Sequence, residues 1–137
     1  MTDFPVQFIE IIENKLPSDS AAFFESIDNP VVTSIRLNLQ HSQKVDLDLM
    51  DAVPWCDHGF FLKDRPSFSL DPQFHGGAYY VQESSSMFID YVIKQIKKEM
   101  SGHLLVLDLC AAPGGKTTLL LDSLDPHDVI VTNETIR

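Results

Sequence analysis

The chain has 137 residues, of which 44% are apolar, and it carries a formal net charge of −10. This composition predicts a globular protein, and the lack of any run of about 20 apolar residues argues against a membrane span or a membrane partner. The two cysteines, Cys56 and Cys110, form no Cys-x-x-Cys or Cys/His pattern, so we expect a cytoplasmic protein with neither a disulfide nor a metal site.

Two helices are predicted at the start of the chain. The first covers about residues 4–15, with Asp3 as its N-cap and Pro5 in its first turn. The second covers about residues 18–27 and ends before Pro30. We expect the apolar side chains at helical spacing to be core residues: Phe8, Ile9, Ile12, Leu16, Phe23, Phe24 and Ile27.

Three short strands and an ordered connection are predicted next. Residues 32–38 alternate between apolar and polar side chains, as in a half-buried strand, and residues 59–62 form a second strand. The connection over residues 63–77 contains prolines and glycines, and His75 is expected there as an ordinary turn residue. A third strand is predicted over residues 78–81.

An amphipathic helix is predicted from Ser84 or Ser85, either of which can act as its N-cap, to about Met100. Its apolar face contains Met87, Phe88, Tyr91, Val92 and Ile96, whereas Lys94, Lys97 and Lys98 are expected to be solvated. Cys56, beside Trp55, is predicted to be a small buried apolar residue.

The segment from Leu104 to about Leu121 predicts a ligand-binding loop between a strand and a helix. Leu104–Leu107 is apolar throughout, so we expect a strand buried on both faces of a sheet. Small residues at 111–115 let backbone N–H groups approach a ligand, and the helix that begins near Gly114 directs its positive end there. We call residues 110–116 the glycine loop.

Two phosphate-binding motifs fit the glycine loop poorly. A P-loop requires a glycine where Cys110 stands, and a dinucleotide motif requires three spaced glycines where only Gly114 and Gly115 occur. The loop instead suits a small zwitterion, with backbone donors and the Lys116 ammonium facing its carboxylate.

A second strand is predicted over Val129–Thr132, followed by Asn133 and Glu134. In an open parallel sheet an acidic residue in this place accepts hydrogen bonds from ribose hydroxyls, and the spacing from the glycine loop suits a βαβ unit. Alternatively, Glu134 is a solvated acid at the start of a loop.

The residues Asp108–Thr118 closely resemble the S-adenosylmethionine loop of the Nop/Sun family of RNA cytosine-5 methyltransferases. Phe74–Met87 is similar to the segment that precedes this loop in the family, and the dipeptides Pro54-Trp55, Gly59-Phe60, Arg65-Pro66 and Asp71-Pro72 resemble its amino-terminal module. The resemblance implies S-adenosyl-L-methionine as cofactor. It places Cys110, Ala111, Ala112, Pro113, Gly114, Gly115 and Lys116 around the methionine end of the cofactor, and Glu134 at its ribose.

The implied fold class is α/β. A small amino-terminal α+β module, residues 1–82, precedes the first βαβ unit of a Rossmann-like methyltransferase domain, residues 83–137, which is truncated. The resemblance implies the amino-terminal part of an enzyme that methylates carbon 5 of cytosine in RNA, with ribosomal RNA as the expected substrate. The family's two catalytic cysteines lie on later strands, so no catalytic residue is assigned and the chain alone is expected to be inactive.

Charge argues against RNA binding by the amino-terminal part. Residues 1–57 hold three basic and ten acidic side chains, and residues 58–137 hold seven and ten. We therefore expect the remainder of the enzyme to make most of the contacts with RNA. Arg36 is either an exposed strand charge without function or an RNA contact. The alternatives are a noncatalytic RNA-binding or ribosome-assembly module and, more weakly, a nucleotide hydrolase.

The last predicted elements leave sheet edges and faces without partners. Two parallel strands and one crossover helix cannot cover both faces of a sheet. We expect the segment from residue 104 onward to be partly disordered or to be hidden by self-association.

Overall fold

A computed structural model describes residues 4–40 and 44–135. The described residues up to Val32 form one compact unit, and those from Thr33 onward form a second. The predicted cap at Asp3 lies outside the described residues. The predicted module boundary at residue 82 stays a prediction. Within the described parts of the chain, no helix is both long and apolar enough to cross a membrane.

The first unit contains helix α1, Val6–Lys15, and helix α2, Ser20–Asp28. Pro5 is the N-cap of α1, whereas the prediction placed it within the first turn. The rings of Phe4, Phe8, Phe23 and Phe24 form a cluster, with the centroids of Phe4 and Phe24 5.4 Å apart. The prediction that these helices form a core is wrong: none of their residues is fully buried and Ile27 is 42% exposed, because two short helices have too little surface to enclose their side chains.

The described residues of the second unit form six strands and three α-helices. In chain order they are β1 (Ser34–Leu37), β2 (Leu49–Ala52), β3 (Gly59–Leu62), α3 (Pro72–His75), β4 (Tyr79–Val81), α4 (Phe88–Glu99), β5 (Leu105–Asp108), α5 (Gly115–Ser123) and β6 (Val129–Thr132). Short 3₁₀ turns lie at Phe68–Leu70 and Ser84–Met87.

The first four strands form an antiparallel sheet in the order β2-β3-β1-β4. Ile35 in β1 lies between Phe60 and Val81 of its neighbours and is fully buried, together with Leu62, Ala78 and Tyr79. Strand β2 was not predicted, because its four residues are largely exposed and lack an alternating pattern. The sheet is thus built mainly on the two central strands that the sequence predicts.

Helix α4 and the turn before it differ from the prediction in two respects. The turn is capped by the Glu83 carboxylate, which accepts hydrogen bonds from the N–H groups of Ser85 at 3.1 Å and Ser86 at 3.2 Å, rather than by a serine hydroxyl. A carboxylate has two acceptor oxygens, so it satisfies both donors. Two of the lysines predicted to be solvated form ion pairs: Lys94 with Asp90 at 2.7 Å and Lys97 with Asp128 at 3.0 Å.

A second core cluster joins the antiparallel sheet to helix α5. It consists of Val53, Cys56, Met87 and Leu119, each at most 1% exposed. The predicted burial of Cys56 is confirmed.

Strands β5 and β6 form a separate parallel pair, with Leu105 opposite Val129 and Asp108 opposite Thr132. Helix α5 connects them, so the predicted βαβ unit and the α/β fold class are confirmed. The predicted burial of β5 on both faces is wrong: Leu105 is 77% and Leu107 58% exposed, while Val106 between them is half-buried. The sheet of β5 and β6 packs one face against the rest of the second unit and leaves its other face exposed.

Candidate functional site

The glycine loop is anchored at both ends by the last residue of β5. The Asp108 carboxylate accepts a hydrogen bond from the Cys110 N–H at 3.2 Å and one from the Thr117 hydroxyl at 2.6 Å. One side chain therefore ties the start of the loop to the first turn of α5. Asp108 was not predicted to have a role, although it is the last residue of β5.

Residues at the end of β6 hold the middle of the glycine loop. The Ala111 N–H donates to the Asn133 carbonyl at 3.0 Å, and the Ala112 N–H donates to Glu134 Oε2 at 3.0 Å. The Asn133 side chain also donates to the Leu109 carbonyl at 3.1 Å. The structure thus brings Glu134 to the loop, as expected for residues of one site.

Helix α5 begins at the end of the loop with open backbone donors. Gly114 is its N-cap in a left-handed conformation, with φ at 100°, which favours glycine, and the preceding Ala112–Pro113 peptide is cis. The first helical hydrogen bond runs from the Thr118 N–H to the Gly114 carbonyl at 2.9 Å. The N–H groups of the turn between them therefore point out of the helix end, where the helix dipole favours negative charge.

A cleft of about 190 Å³ lies between the glycine loop and the segment after β4. Its lining consists of Tyr80, Val81, Gln82, Glu83, Ser86, Cys110, Ala111, Ala112, Pro113, Gly115 and Lys116. Lys116 and Glu83 are both exposed, and Glu134 is not part of the lining. Sites for small molecules and cofactors usually have about 300–1,000 Å³. The cleft that the described residues form is therefore smaller than a usual cofactor site.

Behind the loop, Arg36 of β1 contacts α5. The guanidinium is 2% exposed and forms an ion pair with Asp122, and it donates to the Thr118 hydroxyl at 2.5 Å. Burial lowers the pKa of Arg36, and the carboxylate of Asp122 opposes this shift. Both predicted roles of Arg36, an exposed strand charge or an RNA contact, are wrong, because its side chain is enclosed by α5. No local pattern indicates a partner 86 residues away.

Cys56, His58 and Asp90 form a buried cluster whose potential ligand atoms lie within 4.8 Å of one another. Asp90 Oδ1 accepts a hydrogen bond from Ser123 at 2.7 Å, and Oδ2 lies 2.7 Å from Lys94 Nζ. Burial raises the pKa of Cys56 and lowers the pKa of His58, which favours the neutral thiol and imidazole. One carboxylate oxygen of Asp90 thus accepts a hydrogen bond and the other forms an ion pair. The cluster packs as part of the core that joins the sheet to the helices.

The antiparallel sheet that leads into a parallel strand–loop–helix–strand unit is an arrangement shared with solved methyltransferase-like structures. A solved methyltransferase homolog protein from Pyrococcus horikoshii superposes with a TM-score of 0.72 at 25% identity, over 94% of this chain and 44% of that one. Residues 4–84 match the family described as the N-terminal domain of 16S rRNA methyltransferase RsmF. The chain belongs to this family, and the predicted Nop/Sun membership is confirmed.

Curated relatives extend the match beyond that domain. Ribosomal RNA small subunit methyltransferase F of Vibrio atlanticus is 31% identical over 95% of this chain, and that of Photobacterium profundum is 32% identical over 97%. In each case the match covers 30% of the relative. The chain thus spans about a third of the length of these proteins.

Proposed function

We propose that this chain is the amino-terminal part of an S-adenosylmethionine-dependent methyltransferase that modifies carbon 5 of cytosine in ribosomal RNA. The substrate follows from the names of the relatives, and the position on the base follows from the Nop/Sun resemblance. A ribosomal RNA substrate would place the protein in the cytoplasm.

The contact between Glu134 and the glycine loop carries the proposal. Glu134 follows the second parallel strand, and its carboxylate lies 3.0 Å from the Ala112 nitrogen in a loop that follows the first. Parallel strands bind nucleoside cofactors at their carboxyl ends, with the acid at the ribose. A P-loop needs no acid in this place, so the contact favours a nucleoside cofactor over a nucleoside triphosphate.

The donor groups of the loop fit S-adenosylmethionine chemically. The cofactor's methionine end is a zwitterion, and the loop offers outward N–H groups at the start of α5 and the exposed Lys116 ammonium to its carboxylate. The small residues Ala111, Ala112 and Gly114 let a ligand approach the backbone, while Cys110, Pro113 and Gly115 complete the wall of the cleft. When bound, the cofactor supplies the methyl group.

The chain by itself should not transfer a methyl group. Cytosine-5 transfer needs a thiolate that adds to carbon 6, and the two cysteines do not suit that role. Cys56 is buried in the core, and Cys110 belongs to the glycine loop. We therefore assign the catalytic cysteines to a part of the enzyme beyond these residues.

Calorimetry on the enzyme that carries this segment tests the proposal. We expect S-adenosylmethionine to bind, ATP not to bind, and Lys116→Ala to weaken cofactor binding at least tenfold. Lys98→Ala, which removes an exposed lysine from α4, is the matched control and should bind normally.

Ribosomal RNA treated with the enzyme should gain one methyl group on a cytosine, detected by mass spectrometry, whereas the 137-residue chain should add none. Tight ATP binding without S-adenosylmethionine binding would overturn the proposal. RNA binding without cofactor binding would favour a noncatalytic assembly module instead.

A further inference from the structure

We propose that Arg36, acting through Gln82 and Thr118, is a positioning residue that fixes the direction of the backbone N–H groups at the start of α5. The proposal rests on the proposed function for its purpose, since these N–H groups are the donors assigned to the cofactor. The orientation of these N–H groups is inferred from hydrogen bonds that join Arg36 and Gln82 to α5.

The guanidinium of Arg36 distributes its donors among three side chains. Nε donates to Gln82 Oε1 at 2.9 Å, and Nη2 donates to Thr118 Oγ1 at 2.5 Å. Nη1 pairs with Asp122. A guanidinium is planar and can only donate, so it holds these three acceptors in one fixed arrangement.

Gln82 transmits this arrangement to the first residue of α5. An amide has one acceptor end and one donor end, and Arg36 accepts nothing, so the oxygen of Gln82 must face Arg36. The Gln82 amide nitrogen then faces α5 and donates to the Gly115 carbonyl at 3.1 Å. Gln82 is 6% exposed, so water does not compete well for either end.

Thr118 transmits the arrangement set by Arg36 to Gly114, the residue that precedes α5. Its hydroxyl accepts the hydrogen bond from Arg36 and therefore directs its own proton elsewhere, to the Gly114 carbonyl at 2.8 Å. The Tyr80 hydroxyl adds a longer bond to the Pro113 carbonyl at 3.4 Å, and its ring lies where a Cβ on Gly115 would come within 3.2 Å.

Three consecutive carbonyls are thus held: those of Pro113 and Gly115 by Tyr80 and Gln82 from the side of the sheet, and that of Gly114 by Thr118 of α5, which Arg36 contacts. Each peptide unit is planar, with its C=O and the following N–H pointing in opposite directions. Fixing these carbonyls therefore fixes the outward N–H groups of Gly115 and Lys116, and that of Gly114, which donates to the Ala111 carbonyl at 2.6 Å. The sheet orients the donors of the glycine loop without touching a ligand itself.

Nitrogen-15 relaxation on the enzyme that carries this segment, without added cofactor, tests the inference. Gln82→Glu keeps an acceptor for Arg36 but removes the donor to the Gly115 carbonyl. We expect the order parameters of the Gly115 and Lys116 N–H vectors to be near 0.85 in the wild type and to fall toward about 0.6 in this variant. Gln95→Glu makes the same chemical change on α4 and should keep the wild-type values.

Two further variants keep the test decisive. Arg36→Lys retains the charge beside Asp122 but cannot hold three partners, so it should loosen the same two vectors. Gln82→Met removes both ends of the amide without adding charge and replaces Gln82→Glu if that variant does not fold.

Rigid Gly115 and Lys116 vectors in a folded Gln82 variant would overturn the positioning role. Calorimetry with S-adenosylmethionine on the whole enzyme separates this outcome from a failure of the proposed function. A loosened loop with at least tenfold weaker cofactor binding supports both, whereas a loosened loop in an enzyme that never binds the cofactor supports the positioning role and overturns the proposed function.

Discussion

The two sheets of the second unit are covered to very different extents. In the antiparallel sheet, Ile35 and Tyr79 are at most 3% exposed, whereas in the parallel pair Leu105 and Leu107 are 77% and 58% exposed. An antiparallel sheet is stable with one face on a core and one in water, but a parallel sheet is normally covered on both faces. The difference indicates that residues of this chain cover the antiparallel sheet, including those of α5, whereas the described residues leave one face of the parallel pair exposed.

The largest expected effect comes from the core that supports the antiparallel sheet. Met87→Ala removes a fully buried side chain and should lower the free energy of unfolding by about 2–5 kcal/mol. Leu107→Ala, the control in the open face, should change it by less than about 0.5 kcal/mol. Urea denaturation followed by the fluorescence of Trp55, which packs against this core, measures both. Equal effects would show that the two sheets are equally well covered.

Hydrogen exchange compares the two sheets directly. We expect amides of Ser34–Leu37 to exchange with the protection of the global fold, and amides of Leu105–Leu109 to exchange by local opening of a much lower free energy. Strong protection at Leu105–Leu109 in a chain proven monomeric by sedimentation would contradict this. Protection that appears only as the chain associates would agree with it.

A smaller effect is expected where the antiparallel sheet joins α4. Glu83→Ala removes the acceptor of two backbone N–H groups and should destabilise the unit by about 1 kcal/mol. Glu83→Gln retains an acceptor oxygen and should cost less. Thermal unfolding by circular dichroism distinguishes the two, and equal losses would mean that the charge, rather than the cap, stabilises the turn.

Acid should destabilise the parallel pair more than the antiparallel sheet. Asp128 accepts hydrogen bonds from the Leu104 and Asp125 N–H groups, each at 2.8 Å, and pairs with Lys97, which together lower its pKa from 3.8 to about 2. Because the folded-state pKa is depressed, this stabilisation is fully present above pH 3.8 and is lost as the pH falls toward 2.

Amide spectra recorded between pH 5 and pH 2 should show the signals of β5 weakening before those of β1. Asp128→Asn should remove this extra acid sensitivity and should cost more stability at pH 7, where the carboxylate is charged, than at pH 2. Asp51→Asn on exposed β2 should leave the acid sensitivity unchanged. A wild-type profile identical to that of Asp128→Asn would refute the assignment.

The features that sequence analysis predicts well are local in the chain. The strand–loop–helix–strand order of residues 104–132 and three of the four strands of the antiparallel sheet follow from apolar patterns and turn residues, and the structure contains them. The contact between Glu134 and the loop also follows, because it lies within one βαβ unit. The assignment of these residues to a cofactor stays a prediction.

The features that sequence analysis misses depend on distant partners. Arg36 looks like a surface charge until α5 packs over it, and an apolar strand such as Leu104–Leu107 does not reveal whether anything covers its second face. The cap at Glu83 was missed for a different reason: serines are commoner caps, but the carboxylate reaches two donors at once.

The 86-residue separation of Arg36 and Asp122 has a consequence for the order of folding. At about 5–20 residues per second, a ribosome needs roughly 4–17 s to travel from one to the other. All four strands of the antiparallel sheet are synthesised before that interval ends, yet until then the guanidinium of Arg36, which is buried in the folded protein, lacks the carboxylate of Asp122. We therefore expect nascent chains halted before α5 to be cleaved by protease within β1–β4, and chains halted after β6 to resist cleavage there. The antiparallel sheet, although its strands are made first, therefore completes its packing around Arg36 only after α5 has been synthesised.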